Sequence, residues 1–130
     1  MSWLDQLKEK DGFISMTGAS EDQIQSSEAK LETTFAADYH SYVSEMGVAT
    51  FKGHELTGIC SSKRLNVTLV TEEERKVYEQ IPPTWYVIEQ TNIDGIVIWQ
   101  DSKGVIYQVS PNTKPKAIAK SLAEYCGILV

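Results

Sequence analysis

Trp85-Tyr86-Val87-Ile88-Glu89-Gln90, Ile96-Val97-Ile98-Trp99-Gln100 and Val105-Ile106-Tyr107-Gln108-Val109 decide how this chain folds. Each run is strand-sized and rich in β-branched and aromatic residues, which suit a pleated, half-buried surface. Asn92-Ile93-Asp94-Gly95 joins the first pair and Asp101-Ser102-Lys103-Gly104 the second, each with a glycine where a hairpin needs positive φ. Links this short force antiparallel neighbours, so the three runs form a meander. The first two are apolar on both faces near their middles, which predicts interior positions with cover on each side of the sheet.

Helical spacing takes over on the N-terminal side. Trp3, Leu4 and Leu7 mark a short amphipathic turn or two that Asp11-Gly12 breaks. Ser20-Glu21-Asp22-Gln23 fits a capping box and opens a helix with Ile24 and Leu31 on one side, ending near Glu32. Glu21 and Asp22 also suit the positive end of that helix. From Phe35 to Met46 a second helix lines up Phe35, Tyr39, Tyr42, Val43 and Met46, with Gly47 as its left-handed cap. Val48 to Phe51 and Leu56 to Cys60 read as short strands around a turn at Gly53, and the alternation of Leu65, Val67 and Leu69 predicts an edge strand. Thr71-Glu72-Glu73-Glu74 then opens a helix to about Gln80, which Pro82-Pro83 must end. Pro115 starts a last helix with Ile118, Leu122 and Tyr125 inward and Gly127 closing it. The fold class is therefore α+β: an antiparallel sheet with a C-terminal meander, packed with N-terminal helices and a C-terminal helix. With 130 residues and no repeat or linker, one domain over 1–130 is expected.

Charge narrows the partners. Eighteen acids against 12 Lys plus Arg give a net charge of −6. A nucleic-acid or anionic-membrane binder needs a positive footprint, so direct binding to either is not expected, while a basic protein partner is permitted. Residues 1–55 hold ten acids and four bases, and residues 56–130 hold eight of each, so the excess lies in the first part. The N-terminal residues bring acids at once and no signal-like apolar core. No run approaches the ~18 apolar residues of a membrane span. Cys60 and Cys126 are far apart and lack a CxxC spacing, which fits two reduced thiols in a cytoplasmic protein.

Chemistry-bearing motifs are sparse. HExxH, a P-loop, GxGxxG, GxSxG and an EF-hand loop are all absent from the sequence. His40 falls on the polar side of its helix and His54 follows a turn beside Glu55; a surface histidine is the simpler reading of each. Asp94 and Asp101, before the turn glycines of neighbouring hairpins, are the one arrangement that could converge two carboxylates, but turn chemistry already accounts for both. Trp85, Trp99 and Tyr107 could form a stacking platform, yet such platforms come with Lys or Arg around them, and here Glu89, Asp94 and Asp101 flank them. Packing of the sheet is the expected role. No catalytic residue, no metal site and no cofactor is expected.

Taken in order, several stretches resemble the SUKH superfamily, which includes the yeast cell-wall-assembly regulator and many bacterial immunity proteins. They run from Leu31 through Phe35-Ala36-Ala37-Asp38-Tyr39-His40-Ser41-Tyr42-Val43 to Gly47, then Phe51 and Glu55-Leu56-Thr57-Gly58-Ile59. Trp85-Tyr86-Val87-Ile88-Glu89, Gly95, Asp101-Ser102-Lys103-Gly104-Val105-Ile106-Tyr107 and the last helix continue the match. The family usually has Leu-Pro before the helix with the Asp-Tyr step; here Phe35-Ala36 stands there, and Asp38-Tyr39 is kept. The resemblance implies a small cytoplasmic α+β domain without enzymatic activity. Bacterial members bind and neutralise a cognate toxin, often a nuclease, of polymorphic or contact-dependent systems; the cell-wall-regulator branch implies instead an intracellular scaffold. A nuclease carries positive surface for phosphate, and an acidic inhibitor complements it. The residues expected to meet such a basic toxin are Glu28, Glu32, Asp38, Glu45 and Glu55, with Asp94 and Asp101 as a second patch at the hairpin end.

Overall fold

The structure, a computed structural model, describes residues 2–128. Its C-terminal half is the expected meander. Strands β4 (Tyr86–Gln90), β5 (Val97–Gln100) and β6 (Ile106–Val109) pair antiparallel, with Trp99 opposite both Val87 and Tyr107. Alternate residues face two different cores. Tyr86, Ile88, Ile98 and Ile106 join the larger one, while Val87, Val97, Trp99 and Val109 join a second on the opposite face. Both faces are covered, as the paired apolar character required.

The region after β6 corrects the expectation of a helix from Pro115. Lys116–Ala119 is a fourth strand, β7, whose Ala119, Ala117 and Lys116 stand opposite Ile106, Tyr107 and Gln108. The open edge of β6 offers a row of backbone partners that a helix there would leave unmet. Pro115 precedes the first strand residue, where its missing N–H costs nothing. Only Leu122–Tyr125 is helical, α5, with Ser121 accepting from the Glu124 N–H.

Of the N-terminal elements, α1 (Trp3–Leu7) is capped by Ser2. Helix α2 (Glu21–Leu31) carries both reciprocal bonds of the capping box at Ser20 and Gln23. Helix α3 (Ala37–Met46) ends at Gly47. Strands β1 (Ile14–Ser15), β2 (Ala49–Phe51) and β3 (His54–Glu55) form a small antiparallel sheet in that order. The strand expected over residues 56–60 is absent, for a local reason. The N–H groups of Leu56, Thr57 and Gly58 go to Ala49, Ile88 and Leu65 in turn, so they serve three segments and build no ladder.

The edge strand expected at 65–69 is also replaced. Helix α4 runs Val67–Val77, and Asn66 caps it by accepting from the Leu69 N–H at 3.2 Å. Thr71, read as a cap, lies inside the helix and accepts instead from the Val87 N–H of β4. Val70 and Tyr78 close over Val87, Val97 and Trp99, so α4 covers the second core while α1, α2, α3 and α5 enclose the first.

Two local devices fix how the segments meet. At Gly58 and Gly18 backbone crosses backbone without room for a side chain: an added Cβ would lie 1.8 Å from Gly47 O and 2.1 Å from Ser44 O. In β4 the register shifts between Val87 and Glu89, so Glu89 stands opposite Ile98 and Gln90 opposite Val97. Strict alternation would turn Glu89 toward α4; the bulge turns it toward the first core.

Candidate functional site

Four of the seven acids expected to meet a partner are tied into the fold. Glu28 Oε2 accepts from the Phe35 N–H at 2.8 Å and fixes the chain between α2 and α3. Asp38 accepts from the Leu122 N–H at 2.7 Å and from Gln100 Nε2 at 3.0 Å, joining α3 to α5 and β5. Glu55 is held bidentately by Arg64 at 2.7 and 2.8 Å, which lowers its carboxyl below the usual carboxylate range. Asp101 accepts from the N–H groups of Lys103 and Val105 and from the Tyr107 hydroxyl. The turn reading of Asp101 accounts for the two backbone bonds, and the Tyr107 hydroxyl of β6 adds a third.

The other three stand at the surface. Glu45 lies 3.5 Å from Lys8 Nζ. Glu32 and Asp94 are exposed, with left-handed φ of 54° and 51°. The structure does not gather the seven on one face. Asp38 and Glu45, seven residues apart, lie on the same side of α3 about 10 Å apart, but Asp38 is bonded into the fold while Glu45 is exposed. Asp94 precedes β5 and Asp101 follows it, at opposite ends of the strand, because consecutive turns of a meander alternate between the two ends of the sheet. The second patch expected from that pair is therefore not one patch.

A cluster that the sequence reading passed over lies around Glu89, only 4% exposed. Its Oε1 accepts from the Tyr125 hydroxyl at 2.5 Å and stands 3.0 Å from His54 Nδ1, while Oε2 accepts from the Glu55 N–H at 3.1 Å. One carboxylate thus ties β3, β4 and α5 together. Burial first, and then Glu89, push the Tyr125 phenol far up, and the same two causes raise the Cys126 thiol to about 12. The available signal was a carboxylate interrupting the apolar run Val87-Ile88-Glu89. His40 is held similarly, with Nε2 3.1 Å from both Glu21 oxygens. Chemically, each pair orients an imidazole; among the described residues neither imidazole hydrogen-bonds a serine, threonine or cysteine. No group of three His, Cys, Asp or Glu among those residues is placed to hold a metal.

The aromatic residues divide as packing requires. Trp99 is buried, and Trp85 stacks on Tyr107 with centroids 3.9 Å apart and planes 14° from parallel. A surface groove of about 850 Å³ lies between α2 and the start of α4, with Met16, Lys30, Ile59 and Leu69 among its walls. No helix among the described residues is long and apolar enough to cross a membrane.

The chain matches the family model described as SMI1-KNR4 cell-wall, of the SUKH group, over residues 2–127. No curated protein matches the chain.

Proposed function

The chain belongs to the SUKH superfamily, and from that membership we propose that it is an immunity protein, which binds and neutralises a cognate basic toxin by protein–protein contact. The family match over residues 2–127 is the observation that carries this reading. The net charge of −6 supports it, because opposite potential speeds encounter with a cationic nuclease and rejects wrong partners. In this reading the protein acts in the cytoplasm without catalysis, metal or cofactor, and the exposed Glu32, Glu45 and Asp94 are free to meet the toxin. The half-buried Glu28, Asp38, Glu55 and Asp101 hold the surface in shape.

A second reading, an intracellular regulatory scaffold, is favoured by the cell-wall description of the matching family. One experiment separates the two: co-expression with the toxin encoded beside the gene. Restored growth together with a co-purifying complex supports the immunity reading. Persistent toxicity without a complex removes it for that toxin. A His40→Ala/His54→Ala double variant should protect as well as the parent, and lost protection with retained folding would point to chemistry at an imidazole instead.

A further inference from the structure

Among the described residues five large apolar side chains stand well exposed: Ile14, Met16, Leu69, Val77 and Ile93, at 68%, 49%, 43%, 69% and 62%. Single exposed apolar residues are ordinary, but Met16, Leu69 and Val77 follow one another along α4 and the groove at its head. Leu69 and Val77 are on α4, where Glu72, Glu73 and Lys76 complete an exposed stripe while Val67, Val70 and Thr71 face inward. Met16 and Leu69 line the same groove at the head of that helix. Ile14 lies two residues before Met16, on the same side of extended chain. At the foot of the helix, the Tyr78 hydroxyl donates to Gly95 O at 2.9 Å and Gln90 Nε2 donates to Glu74 at 3.4 Å. These bonds hold the β4–β5 hairpin, which carries Ile93, against the foot of α4.

Ile93 is held in its exposed position. It sits between two left-handed residues, Asn92 and Asp94, with φ of 59° and 51°. The Thr91 hydroxyl donates to Ile96 O at 2.8 Å and accepts from the Ile93 N–H at 3.2 Å. A side chain presented by a rigid turn loses little freedom on binding, which is what an interface anchor requires. The charges around the apolar residues indicate what fits there. Asp22 on the groove, Glu72, Glu73 and Asp94 stand against Lys30 and Lys76, and Lys76 is paired with Glu73 at 3.7 Å. A second copy of a chain carrying −6 would set like charges against this face, and nucleic acid would be repelled. A basic protein surface with apolar recesses matches both features.

We propose that the outer face of α4, with Ile14 and Met16 at its head and the Ile93 hairpin at its foot, is the surface that docks the basic partner. The inference rests on the immunity reading and assigns it a face. The test measures binding of the purified toxin domain encoded beside the gene to the full chain and to three variants. Val77→Arg/Ile93→Arg should weaken binding about 100-fold or more, as the loss of two central anchors does. Glu72→Lys/Glu73→Lys should slow association and reduce its salt dependence. Glu9→Lys, an exposed acid just after α1 with no assigned contact, should bind like the parent. Hydrogen exchange of the parent complex gives an independent readout, with protection expected in residues 67–77 and 91–95. Parent binding that survives Val77→Arg/Ile93→Arg, with no protection there, overturns the assigned face and leaves the immunity reading standing. A parent that does not bind the toxin overturns that reading and the docking face with it. A homodimer that the double variant dissolves shows a second copy as the occupant and also overturns the proposal.

Discussion

Glu89 is where a single residue does most for the fold. A buried carboxylate is costly unless its oxygens are met, and here the Tyr125 hydroxyl, the Glu55 N–H and His54 meet them. Glu89→Ala would strand the first two donors, so urea unfolding should show a loss of about 2–3 kcal/mol. Glu89→Gln keeps the shape but turns an amide donor toward one of those donors, and a smaller loss should follow. Cys126 allows a second check. Burial and the nearby Glu89 raise its thiol to about 12, so it stays protonated and inert at pH 8. Iodoacetamide should label Cys60, which is half-buried, and reach Cys126 only on unfolding. The raised value also fixes a sign. The stability linked to Cys126 is whole below the unfolded value of about 8.5 and is lost as pH climbs toward about 12. Cys126→Ala should flatten that alkaline decline in a series of melts. None of this was legible in the sequence, where Glu89 was one acid inside a strand. Its partners come from positions 54, 55 and 125, which only the fold brings together.

At the scale of elements, the strongest local signals survived and the weak ones yielded to tertiary demand. The capping box at Ser20 and Gln23 and the hairpin glycines each specify their own geometry, and both features were legible. Leu65, Val67 and Leu69 alternate over too few residues to outweigh an Asn66 cap and an inward Val70 and Thr71. Ile118, Leu122 and Tyr125 fit helical spacing, but the sequence could not show that the edge of β6 would claim Lys116–Ala119. Asn66→Ala should therefore cost about 1 kcal/mol, and α4 should lose helicity first at Val67, seen by hydrogen exchange. Gly58→Ala is a harsher change. Its methyl would land 1.8 Å from Gly47 O, a backbone atom that cannot swing aside, and 2.8 Å from Val48 Cγ2. A loss of about 3 kcal/mol in chemical denaturation is expected, well beyond the small gain that Gly→Ala brings where space allows.

Over the whole molecule, the acids that looked free in the sequence turn out to do two kinds of work. Composition gave their number and the fold gave their duties: Glu28, Asp38, Glu55 and Asp101 brace backbone or an arginine, and Glu32, Glu45 and Asp94 are left at separate places on the surface. The exposed stripe of α4 was hidden because Leu69 was assigned to a strand. If the partner is basic, raising salt from 50 to 500 mM should cut the association rate roughly tenfold in stopped-flow mixing while dissociation changes little. The register shift in β4 bears on how this chain can change length. The loops at 91–96 and 101–105 lie at strand ends and can take an inserted residue. Removing Ile88 takes out the extra residue: Glu89 stays opposite Ile98 and keeps its side of the sheet, but the larger core loses a fully buried side chain. A hairpin of this chain can lengthen freely, whereas β4 can shorten at its bulge only by giving up a core side chain.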